Sequence, residues 1–238
     1  MFRWFVLVVG FPVYTILLGL FAPFVPKNPI IDFHYRRAIQ LWARILLVGA
    51  GVRVTFSAQD VAKLRAGSSR IIVANHQSHI DSVALLAMIP PQVTISFAAK
   101  RELFRVPFFG TGLRRAGAIS IDRKNGRDAM HRLRELFSAD HVATSLIVYP
   151  EGTRSPPGTV SKLKKGAFVL ARDADVEMLP IHISGSAKVM SRSARLPRPG
   201  QISIDVYDPI SPRRIRELGL AAAAEEVRSL LVAGYSAD

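Results

Sequence analysis

The sequence predicts an α/β fold: a single domain with a largely parallel or mixed sheet flanked by helices, preceded by an N-terminal membrane-associated two-helix segment. Three observations predict it. Short apolar runs of strand length alternate with runs of helix length from Val52 onward. A stretch of 23 residues without a charge, Trp4–Pro26, lies near the start. A chain of 238 residues with 49% hydrophobic content can bury one substantial core, and a second full domain is not expected.

The uncharged stretch Trp4–Pro26 is long enough to cross a hydrocarbon core of about 30 Å. No small-x-small cleavage site follows it, which argues against a signal peptide. Two glycines and two prolines would weaken a buried helix in water, and they leave a kinked or re-entrant hairpin as open as a straight span. These residues are Gly10, Pro12, Gly19 and Pro23.

A second helix is expected to begin near Asp32, with Trp42 on an apolar face and Arg37 and Arg44 on a polar one. This pattern is typical of an interfacial helix, with an aromatic side chain at the headgroup level and cations facing anionic lipid. A surface helix packed on the domain fits the same residues. The predicted organisation is an anchoring unit over residues 1–50 and an α/β domain over residues 51–238.

Seven strands are predicted from the apolar runs in the domain: Val52–Phe56, Arg70–Asn75, Val93–Ala98, Ala118–Ile121, Ser145–Tyr149, Met178–Ile183 and Gln201–Tyr207. Between and after them, helical spacing of apolar residues predicts helices over Ser78–Ile89, Arg127–Ser138, Lys164–Asp173 and Leu220–Val232. Because strands and helices alternate, the sheet is expected to be largely parallel.

The composition limits the chemistry and the partners. The chain has no cysteine, which excludes a thiolate nucleophile, a disulfide framework and cysteine-ligated metal sites. Its net charge of +14 indicates an anionic partner, either nucleic acid or a phospholipid surface. The uncharged N-terminal stretch favours anionic membrane lipids, and no nucleic acid is expected.

A polar cluster follows the strand Arg70–Asn75. His76 is expected in the turn between this strand and the next helix, and Asp81 in the first turn of that helix. In that arrangement the carboxylate can hold the imidazole in one tautomer, which makes His76 a general base for deprotonating a hydroxyl. The alternative is that Asp81 only caps the helix and that His76 is an ordinary loop residue.

A second polar cluster follows the strand Ser145–Tyr149. It contains Glu151, Gly152, Thr153 and Arg154. The two clusters are expected at the carboxyl edge of the sheet, where ligands bind in open α/β folds. Gly152 would let the backbone approach a ligand closely, and the planar guanidinium of Arg154 suits a phosphate.

Two further cations follow strands, Lys100 and Arg123, and they would converge with Arg154 on one anionic group. Each of the three taken alone also fits a solvated surface charge.

Four blocks in order resemble the motifs of the glycerolipid acyltransferase family, and in particular its bacterial 1-acylglycerol-3-phosphate acyltransferases. The blocks are Asn75–Asp81, Gly117–Arg123, Tyr149–Ser155 and Leu179–Gly185. The similarity runs from about Ile72 to Gly185, and the N-terminal pair of apolar helices also matches. The one departure is Tyr149, where the family often has phenylalanine.

The resemblance implies that His76, oriented by Asp81, deprotonates the free hydroxyl of a lysophosphatidic acid. That hydroxyl then attacks the thioester of acyl-CoA or of an acylated acyl carrier protein. It also implies no bound cofactor and no metal. The substrate-binding residues implied by the motifs are Lys100, Arg123, Glu151, Gly152, Thr153, Arg154 and Pro180.

The family likeness also implies a place in phospholipid biosynthesis at the inner cell membrane, with the catalytic domain on the cytoplasmic face. Three alternatives stay open. The acceptor is another lyso-lipid, such as a lyso-ornithine lipid; the chain is a non-catalytic, membrane-anchored basic protein; or it is a metal-dependent hydrolase that uses His76, His79 and Asp81. The last is disfavoured, because no helical His-x-x-x-His or other metal-binding spacing is present.

Overall fold

The computed structural model describes residues 5–26, 28–66, 69–121, 126–137, 144–194 and 196–236. The chain begins with a π-helical turn, Val6–Gly10, followed by helix α1 (Phe11–Phe21) and a 3-10 turn, Ala22–Phe24. Pro12 has no N–H to donate, and the turn before it is widened to the π form. Within the described ranges, Val6–Phe24 is the one helical stretch long and apolar enough to cross a membrane, and 17% of it is buried.

Helix α2 (Pro29–Ala50) begins three residues before the predicted start at Asp32. The earlier start has a local cause: the Asn28 side chain accepts the Ile30 N–H (2.9 Å), and Pro29 occupies the first helical position. Asp32 lies in the first turn, where its charge is favourable to the helix dipole. Gly51, with φ 68°, ends the helix in the left-handed conformation.

The polar face of α2 is used inside the protein. The side chains of Arg36, Gln40 and Arg44 donate to main-chain carbonyls of Ala87, Ile89 and Pro91. On another side, the Trp42 indole N–H donates to Thr15 Oγ1 (2.7 Å) and its ring packs against Phe11. These side chains have partners in the protein, and the interfacial position of the helix stays a prediction. The alternative, a helix packed on the domain, describes their contacts.

The domain is built on a sheet of seven strands in the order β1-β7-β6-β2-β5-β3-β4. The strands are β1 (Val52–Phe56), β2 (Arg70–Ala74), β3 (Ile95–Lys100), β4 (Ile119–Ile121), β5 (Ser145–Val148), β6 (Glu177–Ser184) and β7 (Gly200–Val206). All neighbours are parallel except β6 and β7, and β1 runs with β7, so the sheet is mixed as expected. The carboxyl ends of β2, β3, β4, β5 and β6 consequently share one edge.

The remaining helices connect and cover the strands. They are α3 (Ala58–Arg65), α4 (Ile80–Met88), α5 (Phe109–Arg115), α6 (Gly126–Glu135), α7 (Gly166–Asp173), α8 (Ser186–Val189), α9 (Pro212–Leu218) and α10 (Leu220–Ala233), with 3-10 turns at Arg101–Arg105 and Gly234–Ser236. Every predicted strand is confirmed to within two residues at each end. The boundary proposed at residue 50 coincides with the end of α2, and the division into two units stays a prediction.

Side chains alternate across the central strand β2, and both of its faces are buried. Ile72 and Ala74 belong to the core that includes α2 and α4, whereas Ile71 and Val73 belong to the core that includes α7 and α10. A strand covered on both faces reads as a continuous apolar run, which is why β2 was recognisable in the sequence. The two cores hold the carboxyl edge of the sheet in place, and the polar turns rest on that edge.

Candidate active site

The turn between β2 and α4 brings His76 and Asp81 together. Asp81 is fully buried, and its Oδ2 accepts hydrogen bonds from His76 Nδ1 (2.8 Å) and from the main-chain N–H groups of Gln77 (2.9 Å) and Ser78 (2.8 Å). One carboxylate oxygen of Asp81 thus contacts both the backbone of the turn and the imidazole, whereas helix α4 has no side-chain cap bond. The contact with His76 is present as the sequence predicted, and the role of His76 as a general base stays a prediction. The His76 side chain is 19% exposed and stands at the solvent side of the pair.

Helix α4 begins at Ile80, two residues later than the predicted start at Ser78, and it ends one residue earlier, at Met88. The difference follows from the contacts of the turn. Ser78 Oγ donates to the carbonyl of Met190 (2.6 Å), and the Ser78 N–H is bound by Asp81. Ser78 is therefore part of the turn that carries His76 and connects it to the loop after α8.

Asn75, the residue before His76, closes the gap where β2 leaves the sheet. Its side-chain amide donates to the carbonyl of Ile183 (2.8 Å) and accepts the Ile183 N–H (2.7 Å), which continues the β2–β6 pairing by one residue. The same amide nitrogen lies 2.7 Å from the hydroxyl of Tyr235 near the carboxyl terminus, and the Tyr235 ring packs edge-on against His182. The turn that carries His76 is thus fixed at its first residue.

Tyr149 packs directly on the imidazole. The rings of His76 and Tyr149 are stacked, with centroids 4.1 Å apart and planes 19° apart. The Tyr149 hydroxyl is hydrogen-bonded to Ser82 Oγ (2.9 Å) in the first turn of α4. Burial, assisted by the negative charge of Asp81, raises the pKa of the Tyr149 phenol well above its usual range. The phenol is therefore neutral throughout the physiological range, and it restricts rotation of the His76 ring.

Glu151 faces inward. It is 4% exposed; Oε1 accepts the main-chain N–H of His76 (2.7 Å), and Oε2 accepts the N–H of Ser161 (2.7 Å) and the Ser155 hydroxyl. Its carboxylate is consequently occupied by the protein. This geometry supports a role in holding the two turns together, and the predicted role of Glu151 in substrate binding stays a prediction.

Gly152 has a different reason to be glycine than the sequence suggested. Its φ is +75°, and a Cβ at this position would lie 2.6 Å from Nζ of Lys164. The Lys164 side chain fills the space over Gly152, where the sequence predicted the close approach of a ligand. The sequence did not indicate Lys164, because nothing distinguishes it from the neighbouring lysines as the one whose side chain lies over Gly152. Its main-chain N–H also donates to the Pro150 carbonyl (2.8 Å).

Of the three cations predicted to bind phosphate, the described part of the structure includes the side chain of Arg154. Arg154 lies on the same turn as exposed Thr153, and its Nη1 donates to the carbonyl of Arg192 (3.2 Å). Lys100 is the last residue of β3, at the carboxyl edge, but its side chain lies outside the described part of the structure, as does all of Arg123. Their convergence with Arg154 stays a prediction.

Pro180 lies within β6, paired with Val73 and buried. Val73 precedes His76 by three residues, which in an extended strand corresponds to about 10 Å. Pro180 is therefore part of the sheet beneath the histidine, and its predicted role in substrate binding stays a prediction.

This arrangement suits the removal of a proton from a hydroxyl. The carboxylate of Asp81 fixes the proton on Nδ1 of His76 and leaves Nε2 as the basic nitrogen. Three other residues hold His76 in place. Asn75, the residue before it, is bound to β6; Tyr149 stacks on its ring; and Glu151 accepts its main-chain N–H. Among the described residues, no group of three His, Asp or Glu side chains is placed to hold a metal ion.

The chain is similar to known acyltransferases. A family model described as Acyltransferase matches residues 53–184, more than half of the chain. The 1-acyl-sn-glycerol-3-phosphate acyltransferase of Saccharomyces cerevisiae is 30% identical over 190 residues, which cover 79% of this chain and 60% of that protein. The alpha enzyme of the same name from Mus musculus is 33% identical over 162 residues, covering 66% of this chain and 55% of that protein.

The chain thus spans little more than half the length of these relatives. The crystal structure of the 1-acyl-sn-glycerophosphate (LPA) acyltransferase PlsC from Thermotoga maritima has the same fold, with a TM-score of 0.72 and 23% identity, covering 98% of this chain and 89% of that one. The resemblance indicated by the four motif blocks is confirmed, and the chain belongs to the Acyltransferase family.

Proposed function

We propose that this protein transfers a fatty acyl group from an acyl thioester to the sn-2 hydroxyl of 1-acylglycerol-3-phosphate, giving phosphatidic acid. The observation that carries the proposal is the contact between partly exposed His76 and buried Asp81 at the carboxyl edge of the sheet. The similar proteins from Saccharomyces cerevisiae and Mus musculus are 1-acyl-sn-glycerol-3-phosphate acyltransferases, which supports this acceptor. A non-catalytic binding protein would give no physical reason for a histidine to be held by three separate elements.

In the proposed reaction, Nε2 of His76 takes the proton of the acceptor hydroxyl as its oxygen attacks the thioester carbonyl. The imidazolium that forms is stabilised by the Asp81 carboxylate. The tetrahedral intermediate then collapses, the carbon–sulfur bond breaks, and the imidazolium returns its proton to the leaving thiolate. The transfer is direct, which is consistent with a chain that has no cysteine to carry an acyl group.

The phosphate of the acceptor is proposed to bind on the Arg154 side of the site. Arg154 is only half-buried and its Nη1 uses a main-chain carbonyl, so the remaining donors of the guanidinium are available to a phosphate. Lys164, with its ammonium over Gly152, adds a second cation beside the same turn. Lys100 and Arg123 complete the proposed set.

An apolar cavity of about 140 Å³ is proposed to receive part of an acyl chain. It lies among α1, α2, α4, β3 and α5, and its lining includes Leu86 and Phe97. Leu86 is one helical turn along α4 from Ser82, the partner of Tyr149, so the cavity begins close to the catalytic ring. The reaction joins an apolar chain to a charged headgroup, and the protein offers a compartment suited to each.

The proposed location is the inner cell membrane, with the catalytic domain on the cytoplasmic face. The apolar helix Val6–Phe24 supports attachment to a membrane. The cytoplasmic face follows from the donors, because acyl-CoA and acylated acyl carrier protein are available there. Both donors remain compatible with the site.

The test is an assay of purified protein with lysophosphatidic acid and acyl-CoA, measured as thiol release. We expect turnover in the wild type and a loss of about 10²–10⁴-fold in His76→Ala, since a general base contributes that much. Circular dichroism checks that the variant is folded. A variant that keeps more than half of the wild-type turnover would refute the mechanism.

The acceptor is tested with Arg154. Losing one charge-assisted hydrogen bond costs about 1.5–3 kcal/mol, so Arg154→Ala should lower kcat/KM for lysophosphatidic acid by at least about tenfold. Arg154→Lys should restore only part of it, because the planar fork is lost. Turnover of a phosphate-free lyso-lipid should change little; equal losses would make Arg154 structural, and a wild type that prefers the phosphate-free lipid would favour the lyso-ornithine alternative.

A further inference from the structure

The segment between β3 and α5 exposes an unusual number of apolar side chains. Within Arg101–Phe108, the exposed fractions are 40% for Leu103, 46% for Val106 and 40% for Phe108. Single exposed apolar residues are normal on a soluble surface. Three within six residues, with Arg105 among them and Arg101 just before them, form a patch of the kind that marks a contact with a partner or a lipid surface.

This segment is continuous with the exposed surface of α1. Thr111 Oγ1 donates to the carbonyl of Gly19 (2.7 Å), and Gly19 approaches the Phe108 backbone too closely to admit a side chain. Arg115 Nη2 donates to the carbonyl of Pro26 (3.0 Å). The neighbouring apolar residues at the end of this helical stretch are also exposed: Leu20 at 45%, Phe21 at 58% and Phe24 at 79%. Two segments distant in the chain thus form one apolar surface.

Cations border this surface. A surface pocket of about 560 Å³ is lined by Arg101, Arg105 and Arg114, and its wall includes one carboxylate, Glu135. Arg114 is held in place because its Nη1 donates to the Phe104 carbonyl (2.9 Å). In the described part of the chain, neither Arg101 nor Arg105 has a carboxylate within ion-pair distance. The pocket therefore carries an excess of positive charge next to exposed apolar side chains.

We propose that Arg101–Phe108 is a membrane contact made by the catalytic domain itself. Leu103, Val106 and Phe108 enter the boundary between headgroups and acyl chains, and the arginine pocket binds the phosphate of an anionic phospholipid in the bilayer. A soluble anion, such as the phosphates of coenzyme A, would use the arginines but leave the apolar neighbours in water. The proposal rests on the membrane location proposed above, and it adds a second attachment point beyond the N-terminal helices.

The absence of cysteine from the sequence allows a site-specific test. Leu103→Cys in the full chain is labelled with an environment-sensitive fluorophore and reconstituted in vesicles of phosphatidylcholine with increasing phosphatidylglycerol. Val232→Cys is the matched control, since Val232 is 39% exposed and lies on α10, on the face of the sheet opposite to α2 and α4. We expect emission at Leu103 to shift to shorter wavelength as phosphatidylglycerol increases, and emission at Val232 to stay constant.

The charge contribution is tested by adding Arg101→Gln and Arg105→Gln to the Leu103→Cys protein. Each cation near an anionic surface is worth about fivefold in binding. The phosphatidylglycerol fraction needed for half the shift should therefore rise at least about fivefold. The proposal would be overturned if the two arginine substitutions left the shift at Leu103 unchanged, or if the shifts at Leu103 and Val232 were equal. If the shift at Leu103 stayed unchanged while KM for acyl-CoA rose, the pocket would instead be assigned to the acyl donor. The fluorescence measurement needs no turnover. The membrane-contact proposal can therefore fail while the proposed acyl transfer is confirmed, and the proposed acyl transfer can fail while the membrane contact is confirmed.

Discussion

Two buried carboxylates hold His76, and they hold different parts of it. Asp81 binds the imidazole and two main-chain N–H groups through a single oxygen, Oδ2, whereas its Oδ1 has no hydrogen-bond partner among the described residues. Glu151 uses both of its oxygens, and it binds the backbone of His76 and two groups of its own turn. The first carboxylate therefore acts on the reacting ring and the second on the position of the backbone. Equal burial does not imply an equal role.

Asp81→Asn should separate charge from geometry and have the largest effect on rate. The asparagine oxygen can replace Oδ2 and keep its three donors, while the new NH₂ occupies the place of Oδ1, where no donor opposes it. The fold should persist, but the imidazolium loses its counter-charge, and kcat should fall at least about a hundredfold. Rate and melting temperature are measured on the same sample.

The control for this variant is Asp60→Asn, a carboxylate that caps α3 and accepts the Val206 N–H, away from the site. It should lower the melting temperature and leave kcat unchanged. If Asp81→Asn lost stability and kept its rate, Asp81 would be a cap alone, and the comparison with Glu151 would collapse.

Glu151→Gln should damage stability and rate together. Either orientation of the new amide directs an NH₂ at a donor, the N–H of His76 or that of Ser161. We expect the free energy of unfolding to fall by about 1.5–3 kcal/mol. Displacement of His76 should cost about 10–100-fold in kcat. Chemical denaturation and initial rates measure the two effects; a variant with full stability and a raised KM would show that Glu151 contacts substrate after all.

Gly152→Ala tests the second turn more gently. The positive φ alone should cost about 1–2 kcal/mol of stability. Gly158→Ala is the matched control: its φ is +71°, and a Cβ there meets nothing within 4 Å. The excess effect of Gly152→Ala over Gly158→Ala measures the displacement of Lys164, and it should vanish when Lys164→Ala is added. Equal effects at both glycines would show that Lys164 is not held over the turn.

Tyr149→Phe should have the smallest effect and a dependence on pH. Near neutral pH it loses the hydrogen bond to Ser82, worth about 1 kcal/mol. Because folding raises the pKa of this phenol, its contribution is fully present below the ordinary value near 10 and is lost as the pH rises above it. The stability difference between wild type and variant should therefore shrink above about pH 10. A difference that grows with pH would contradict the burial of a neutral phenol. Ser82→Ala is the companion variant: it removes the same hydrogen bond, so the double variant should lose no more stability than either single variant.

Much of the fold was predictable because its signals are local. A strand buried on both faces, such as β2, reads as an apolar run, and the spacing of His76 and Asp81 across a strand-to-helix turn already implied their contact. The direction of Glu151 was not predictable, since nothing in its turn distinguishes a carboxylate that faces a ligand from one that faces the backbone of another turn. Asn75 and Tyr235 are far apart in the chain, and only the assembled sheet brings them together.

The pairing of β1 with β7 has a consequence for synthesis. β1 follows the N-terminal helices directly, yet its partner begins at Gly200, opposite Val52. At the usual rate of about 5–20 residues per second, a ribosome needs about 7–30 s to make the chain between them. During that time the apolar helices have already emerged and the edge of the sheet is incomplete, so the domain is expected to finish folding while tethered at the bilayer. Non-local pairing of this kind is slow and exposes strand edges, and a tether that keeps nascent chains apart would protect them from one another.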